Sequence, residues 1–228
     1  MNITANTFAA AGSQRWLQVA VNHAPNLLLD VLRPALQLDS SVDIEWRSPL
    51  EADGFREYRD MAALRQLGIA SLPKRKLSDF WPQRGPVWDA LGKTSDGQYI
   101  FVEAKAHVAE AASPATRANL TSITLIQKSL KEAQQHFAPQ SQADWSNTFY
   151  QYSNRLAHHY LFHTVNNFPS HMVFLYFINA TDMNGPKSEI EWQGAIKLIH
   201  SALGLVQTNH LGVHEVFMDV SLLNSLVP

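Results

Sequence analysis

Cysteine is absent from the 228-residue chain. That excludes disulfide bridges and thiolate metal sites and leaves no sign of an oxidising compartment. No apolar run approaches the ~18–20 residues of a membrane span. The opening residues, MNITANTFAAAGSQRW, lack the basic and apolar regions of a secretory signal. The expectation is a cytoplasmic protein with no membrane partner. An excess of positive charge is missing too: 18 Lys and Arg face 20 Asp and Glu, a formal net charge of −2. Non-specific affinity for nucleic acid comes largely from cations that neutralise phosphates, so any such binding must rest on local clustering. Lys74-Arg75-Lys76, followed by Arg84, is one such cluster, and a solvated loop explains it equally well. Gly-rich phosphate loops, nucleophile elbows, internal repeats and inter-domain linkers are also lacking. With 46% hydrophobic residues, the chain reads as one α/β domain over residues 1–228.

Against these absences stands one dense stretch, Gly85 to His107. Two apolar runs, Val87 to Leu91 and Tyr99 to Ala104, flank a polar segment carrying Gly92, Asp96 and Gly97, the pattern of a β-hairpin with a longer loop. A turn about Asp96 sets Asp89 opposite Glu103, and the alternation of strand side chains puts Lys105 on the same face. Opposed carboxylates cost roughly 0.2–1 kcal/mol when exposed and more when water is excluded, so the pair calls for a cation. Oxygen ligands without cysteine favour Mg²⁺, Mn²⁺ or Ca²⁺ over zinc.

At these residues the chain resembles the PD-(D/E)XK nuclease superfamily, the restriction-endonuclease-like fold. Asp89 matches the family's Asp, with Trp88 where Pro is usual, and Glu103-Ala104-Lys105 matches its (D/E)xK. The resemblance implies a divalent-metal-dependent phosphodiester hydrolase, with DNA as the expected polymer and a homodimer as a common arrangement. It implies that Asp89, Glu103 and the Ala104 carbonyl hold Mg²⁺ or Mn²⁺, with Lys105 positioning or deprotonating the attacking water. A nearby metal should depress the Lys105 pKa. Glu57 is the choice for the family's helical glutamate, with Glu51 and Asp60 as rivals. Gln151 and Arg155, one helical turn apart, are nominated for the substrate, as are Lys74 and Lys76. A structural ion pair is the competing role for Arg155.

The rest of the chain supplies the frame. Helices are expected over Ser13 to His23, Asn26 to Leu38, about Asp53 to Leu67 after a capping box at Ser48 and Glu51, and Leu120 to Phe137. Further helices should run from a cap at Asp144 or Ser146 through His163, and from a second capping box at Ser188 and Glu191 to Gly204. Strands are expected at Val42 to Trp46, around Lys76 to Phe80, at Met172 to Ile178 and at Val213 to Val220. The whole is an α/β sandwich with a mixed central sheet flanked by helices. The resemblance implies a nuclease-like core over residues 48–178, with 1–47 as an N-terminal helical extension and 179–228 as a C-terminal helix–strand addition. His159 and His163 have zinc-binding spacing but no third ligand. Two alternatives to the nuclease remain: a catalytically silent binding protein of the same fold, and a hydrolase of a small phosphorylated substrate.

Overall fold

A computed structural model describes residues 8–206 and 211–226. Two helices come first, α1 (Gly12–His23) and α2 (Pro25–Leu36), broken at Ala24 where Pro25 restarts the helix. A five-stranded sheet follows, in the order β1 (Ile44–Ser48), β4 (Ala90–Thr94), β5 (Tyr99–Lys105), β6 (Ser170–Ile178), β7 (Val213–Asp219). The β1–β4 and β4–β5 pairs are antiparallel, while β5–β6 and β6–β7 are parallel. The protein is therefore α/β with a mixed central sheet. β1 lies across the 47/48 boundary between the expected extension and core.

Helices cover both faces. On one side α1 and α2 pack against Ala90, Ile100, Val102, Ala104, Val173, Leu175 and Val216. On the other, α3 (Asp60–Gln66), α5 (Leu120–Phe137), α6 (Tyr150–His159) and α7 (Glu189–Leu203) cover Leu91, Phe101, Met172, Phe174, Tyr176 and Val213. Between β5 and α5 stands the single turn α4 (Val108–Ala111). The period-two alternation of β5 and β6 is what divides their residues between the two cores. Asn119 caps α5 through Ser122 N, and Gly204 ends α7 in the left-handed region at φ 72°.

Four expectations fail locally. The helix expected from Asp53 starts only at Asp60, because Gly54, Phe55 and Asp60 all have positive φ and Tyr58–Arg59 pairs as strand β2 with β3 (Val87–Trp88). Ser48 is committed to β1 opposite Leu91, so it caps no helix, and Glu51–Asp53 makes a single 3₁₀ turn. Around Lys76 to Phe80 there is a 3₁₀ turn, Leu77–Asp79, instead of a strand. The helix expected from Asp144 begins at Tyr150: Asp144 Oδ1 accepts from Ser146 N and Oγ in a local turn, and Phe149 enters with φ 59°. Beyond His159 the helix continues in π form over Tyr160–Val165.

Candidate active site

The site is created by a break in a strand. Trp88 and Ala90, two residues apart, belong to opposite cores, so the backbone rotates at Asp89. Past that point the chain leaves β5 and pairs with β2 instead. Asp89 N still donates to Val102 O at 3.1 Å, which keeps it opposite Glu103 in the β4–β5 register. Residues 103–105 of β5 then run on with one edge free of β4. Asp89 Oδ2 takes the first exposed donor of that edge, Ala104 N, at 2.8 Å. In a ladder the amide and carbonyl of one residue point the same way, so the Ala104 carbonyl also faces the Asp89 side.

Glu103 and Lys105 project from the face covered by α5, α6 and α7, beside Phe174 and Tyr176 of β6. Glu103 is 3% exposed and both its oxygens are engaged. One is bonded by Lys105 Nζ and the other by Arg155 Nε at 2.6 Å. Arg155, from α6, is itself buried: its Nη2 donates to Val87 O at 2.9 Å and its guanidinium lies 5.2 Å from the Trp88 ring centroid. Trp88 thus fills the position where the resembled family has Pro, packing on Phe101 and supporting Arg155. The cation that the carboxylate pair requires is supplied partly from within the protein.

The two carboxyls titrate in opposite senses. Asp89 keeps some accessible area, yet surrounding atoms desolvate its carboxyl. That burial, with Glu103 adding to it, pushes its pKa up to about 7 against the pull of Lys105, Arg155 and the Ala104 amide. Burial also works to raise Glu103, but Arg155 and Lys105 outweigh it and hold the carboxyl below its ordinary value. The depression expected at Lys105 is tied to a bound metal; the protein's own groups act on the amine in the other direction. Burial alone would lower its pKa, yet Glu103 and Asp89 prevail and raise it, so the amine is held as an ammonium. Its ammonium, bonded to Glu103, is placed to stabilise negative charge.

Glu57 is on the strap before β2 and not on a helix, half-buried, and its Oε1 accepts from Gln14 Nε2 of α1 at 3.1 Å. Burial raises its pKa, and the charges of Glu103 and Arg155 are felt there. The N-terminal helix therefore contributes a polar contact next to the site, which no local sequence signal announced. Gln151 does reach the site: with Glu103, Lys105, Tyr152 and Tyr176 it lines a cavity of about 10 Å³, room for about one water. Arg155, nominated for the substrate, is committed to Glu103. Lys74 and Lys76 are exposed and outside this cavity, their loop pinned by Asn166, whose Oδ1 accepts from Lys74 N and Arg75 N.

The donor set can be weighed against Mg²⁺. Asp89 Oδ1 has no partner among the described residues and, with the Ala104 carbonyl, offers two hard oxygens on one edge. Glu103 spends two of roughly four lone pairs on Lys105 and Arg155, which leaves it able to share a third interaction. No cluster of three His, Asp or Glu side chains suited to an ion occurs among the described residues. The set fits an ion bound by one or two carboxylates and otherwise hydrated, as Mg²⁺ commonly is. His159 and His163 stack at 4.9 Å and hold no such third ligand. No helix among the described residues is long and apolar enough to cross a membrane. Comparison with protein-family models, with curated proteins and with solved structures returns no match for the chain.

Proposed function

We propose that the protein is a divalent-metal-dependent phosphodiester hydrolase of the PD-(D/E)XK type, with a restriction-endonuclease-like core and nucleic acid, DNA by expectation, as its substrate. The observation that carries this reading is the convergence at the β3–β4 break. Asp89, Glu103 and Lys105 share one patch of sheet, and the Ala104 carbonyl faces the same edge. Asp89, Glu103 and Ala104 would hold Mg²⁺ or Mn²⁺. The ion's chemistry is to acidify a bound water and to neutralise charge at the phosphoryl oxygens. Lys105 contributes a fixed positive charge to the anionic transition state, and Arg155 keeps Glu103 ionised and aimed. Burial and the charge of Glu103 raise the Asp89 pKa to about 7, and a divalent ion bound there would relieve that crowding and hold the carboxylate ionised.

A mutational assay decides the matter. Asp89→Asn and Lys105→Met are expected to remain folded while Mg²⁺-dependent cleavage of plasmid or oligonucleotide falls by at least about a hundredfold. Cleavage that survives both changes rejects the assignment. One observation favours a second reading, a catalytically silent binding protein of the same fold: Glu103 is already satisfied by Lys105 and Arg155. That reading expects nucleic-acid binding without turnover in either metal.

A further inference from the structure

Beyond the β2–β3 ribbon that borders the site, a groove opens. Its larger part, about 620 Å³, is lined by Arg59, Met61, Leu77, Trp81, Arg84 and Asp60. A smaller hollow of about 270 Å³ shares Met61 and Leu77 with it and adds Lys76. The floor is largely apolar and the rim is cationic. Arg59 and Arg84 are exposed, and among the described residues neither takes part in an ion pair. The one acid, Asp60, uses both oxygens on the Arg84 and Gly85 amides, at 3.1 and 2.9 Å. Volumes of this size suit a nucleotide.

We propose that this groove holds one unpaired nucleotide of a nucleic-acid strand, with its base on the Met61, Leu77 and Trp81 floor and its phosphates against Arg59, Arg84 and Lys76. The inference rests on the nuclease reading for its partner and deepens it, naming the substrate as single-stranded or locally opened. Charge complementarity is the first support. Residues 55–85 carry seven Lys or Arg and three Asp or Glu in a chain whose net charge is −2. Shape is the second, because a base inside a duplex cannot enter a concave pocket, whereas an unstacked one buries its face there. Position is the third. Arg59 pairs with Val87, two residues before Asp89, or ~7 Å along the strand, so a chain leaving the groove leads toward the carboxylates.

The test is fluorescence anisotropy of a labelled single-stranded oligodeoxynucleotide with the whole protein in a chelating buffer, so that nothing is cleaved. The single strand should bind more tightly than its duplex. Arg59→Ala with Arg84→Ala should weaken binding at least about tenfold and reduce the slope of log affinity against log salt by about 1.4. Ala62→Trp fills the groove without altering charge and should erase the preference for single strand. Wild-type affinity in these variants, or equal affinity for duplex, overturns the proposal. So does thymidine monophosphate binding as tightly as the oligonucleotide, which would make this a free-nucleotide pocket. Binding that behaves as expected in a protein that cleaves nothing rejects the nuclease reading and keeps the groove.

Discussion

Two polar clusters are buried at opposite ends of one sheet, and they handle charge in opposite ways. Where β5 outruns β4, Glu103 and Lys105 remain charged and Asp89 is near the point of charging, with Arg155 bonded to Glu103. At the start of β6 and β7, His171 Nδ1 lies 3.0 Å from His214 Nε2, His171 Nε2 lies 2.7 Å from Gln98 Oε1, and His159 Nε2 reaches Leu211 O at 2.8 Å. Burial drives these imidazoles neutral, with His159 pushed down to about 3 and His171 to about 4, neighbouring histidines adding to the effect. Among the described residues Asp96 is the acid acting on His171, and it opposes the shift. The difference lies in partners. A buried charge persists where an opposite charge answers it and is otherwise neutralised by losing or gaining a proton. Only the first cluster retains the ionic character that chemistry on a phosphate requires.

The comparison breaks most sharply at Glu103. Glu103→Gln leaves the Arg155 and Lys105 cations buried around a neutral amide, and should cost about 3–5 kcal/mol of stability by chemical denaturation. Adding Arg155→Met should recover part of that loss, since the change removes the stranded charge. A loss below about 1 kcal/mol for the single variant would mean that the pair is solvated and that the cluster is not held together by charge.

Acid should separate the two clusters next. Between pH 6.5 and about 4 the unfolded chain binds protons that the buried His159 and His171 refuse, so stability falls as pH drops through this range. His158, pushed down to about 3 chiefly by burial, adds to the trend. Asp89 opposes it: the folded carboxyl gains its proton near pH 7, earlier than the unfolded one, so acidification to about pH 4 relieves a cost. The histidines outnumber it, and a net loss of about 2–4 kcal/mol from pH 7 to pH 5 is expected in denaturation curves. A flat profile would place the histidines in water.

Much of the site was legible because it rests on local rules. The turn around Asp96 and Gly97 fixes the β4–β5 register, and period-two alternation then brings Asp89, Glu103 and Lys105 together from sequence alone. Arg155 was harder to place, being 52 residues from Glu103 and on another element, so whether it meets substrate or carboxylate depends on packing over Trp88. The helix drawn through Glu57 illustrates the opposite error. Its apolar spacing was helical, but Gly54 and the strand edge offered by Trp88 prevailed over periodicity. Gln14 meeting Glu57 had no local signal at all.

The smallest effect sharpens the contrast within the charged cluster itself. Asp89 is opposite a glutamate that has taken both nearby cations, so its ionised form is a burden on the fold above pH 7. Asp89→Asn keeps an oxygen to accept from Ala104 N and removes the charge. It should therefore stabilise the protein at pH 8 by on the order of 1–2 kcal/mol, well short of the full cost of the raised pKa because the carboxyl is partly solvated. The gain should shrink as pH falls through 7 and be largely gone by about pH 4, where the unfolded carboxyl is protonated as well. Equal stability of the two proteins at both pH values would show that Asp89 is not strained by its neighbour. A gain confined to high pH would mark it as a residue kept at the expense of the fold, the behaviour expected of a group retained for function.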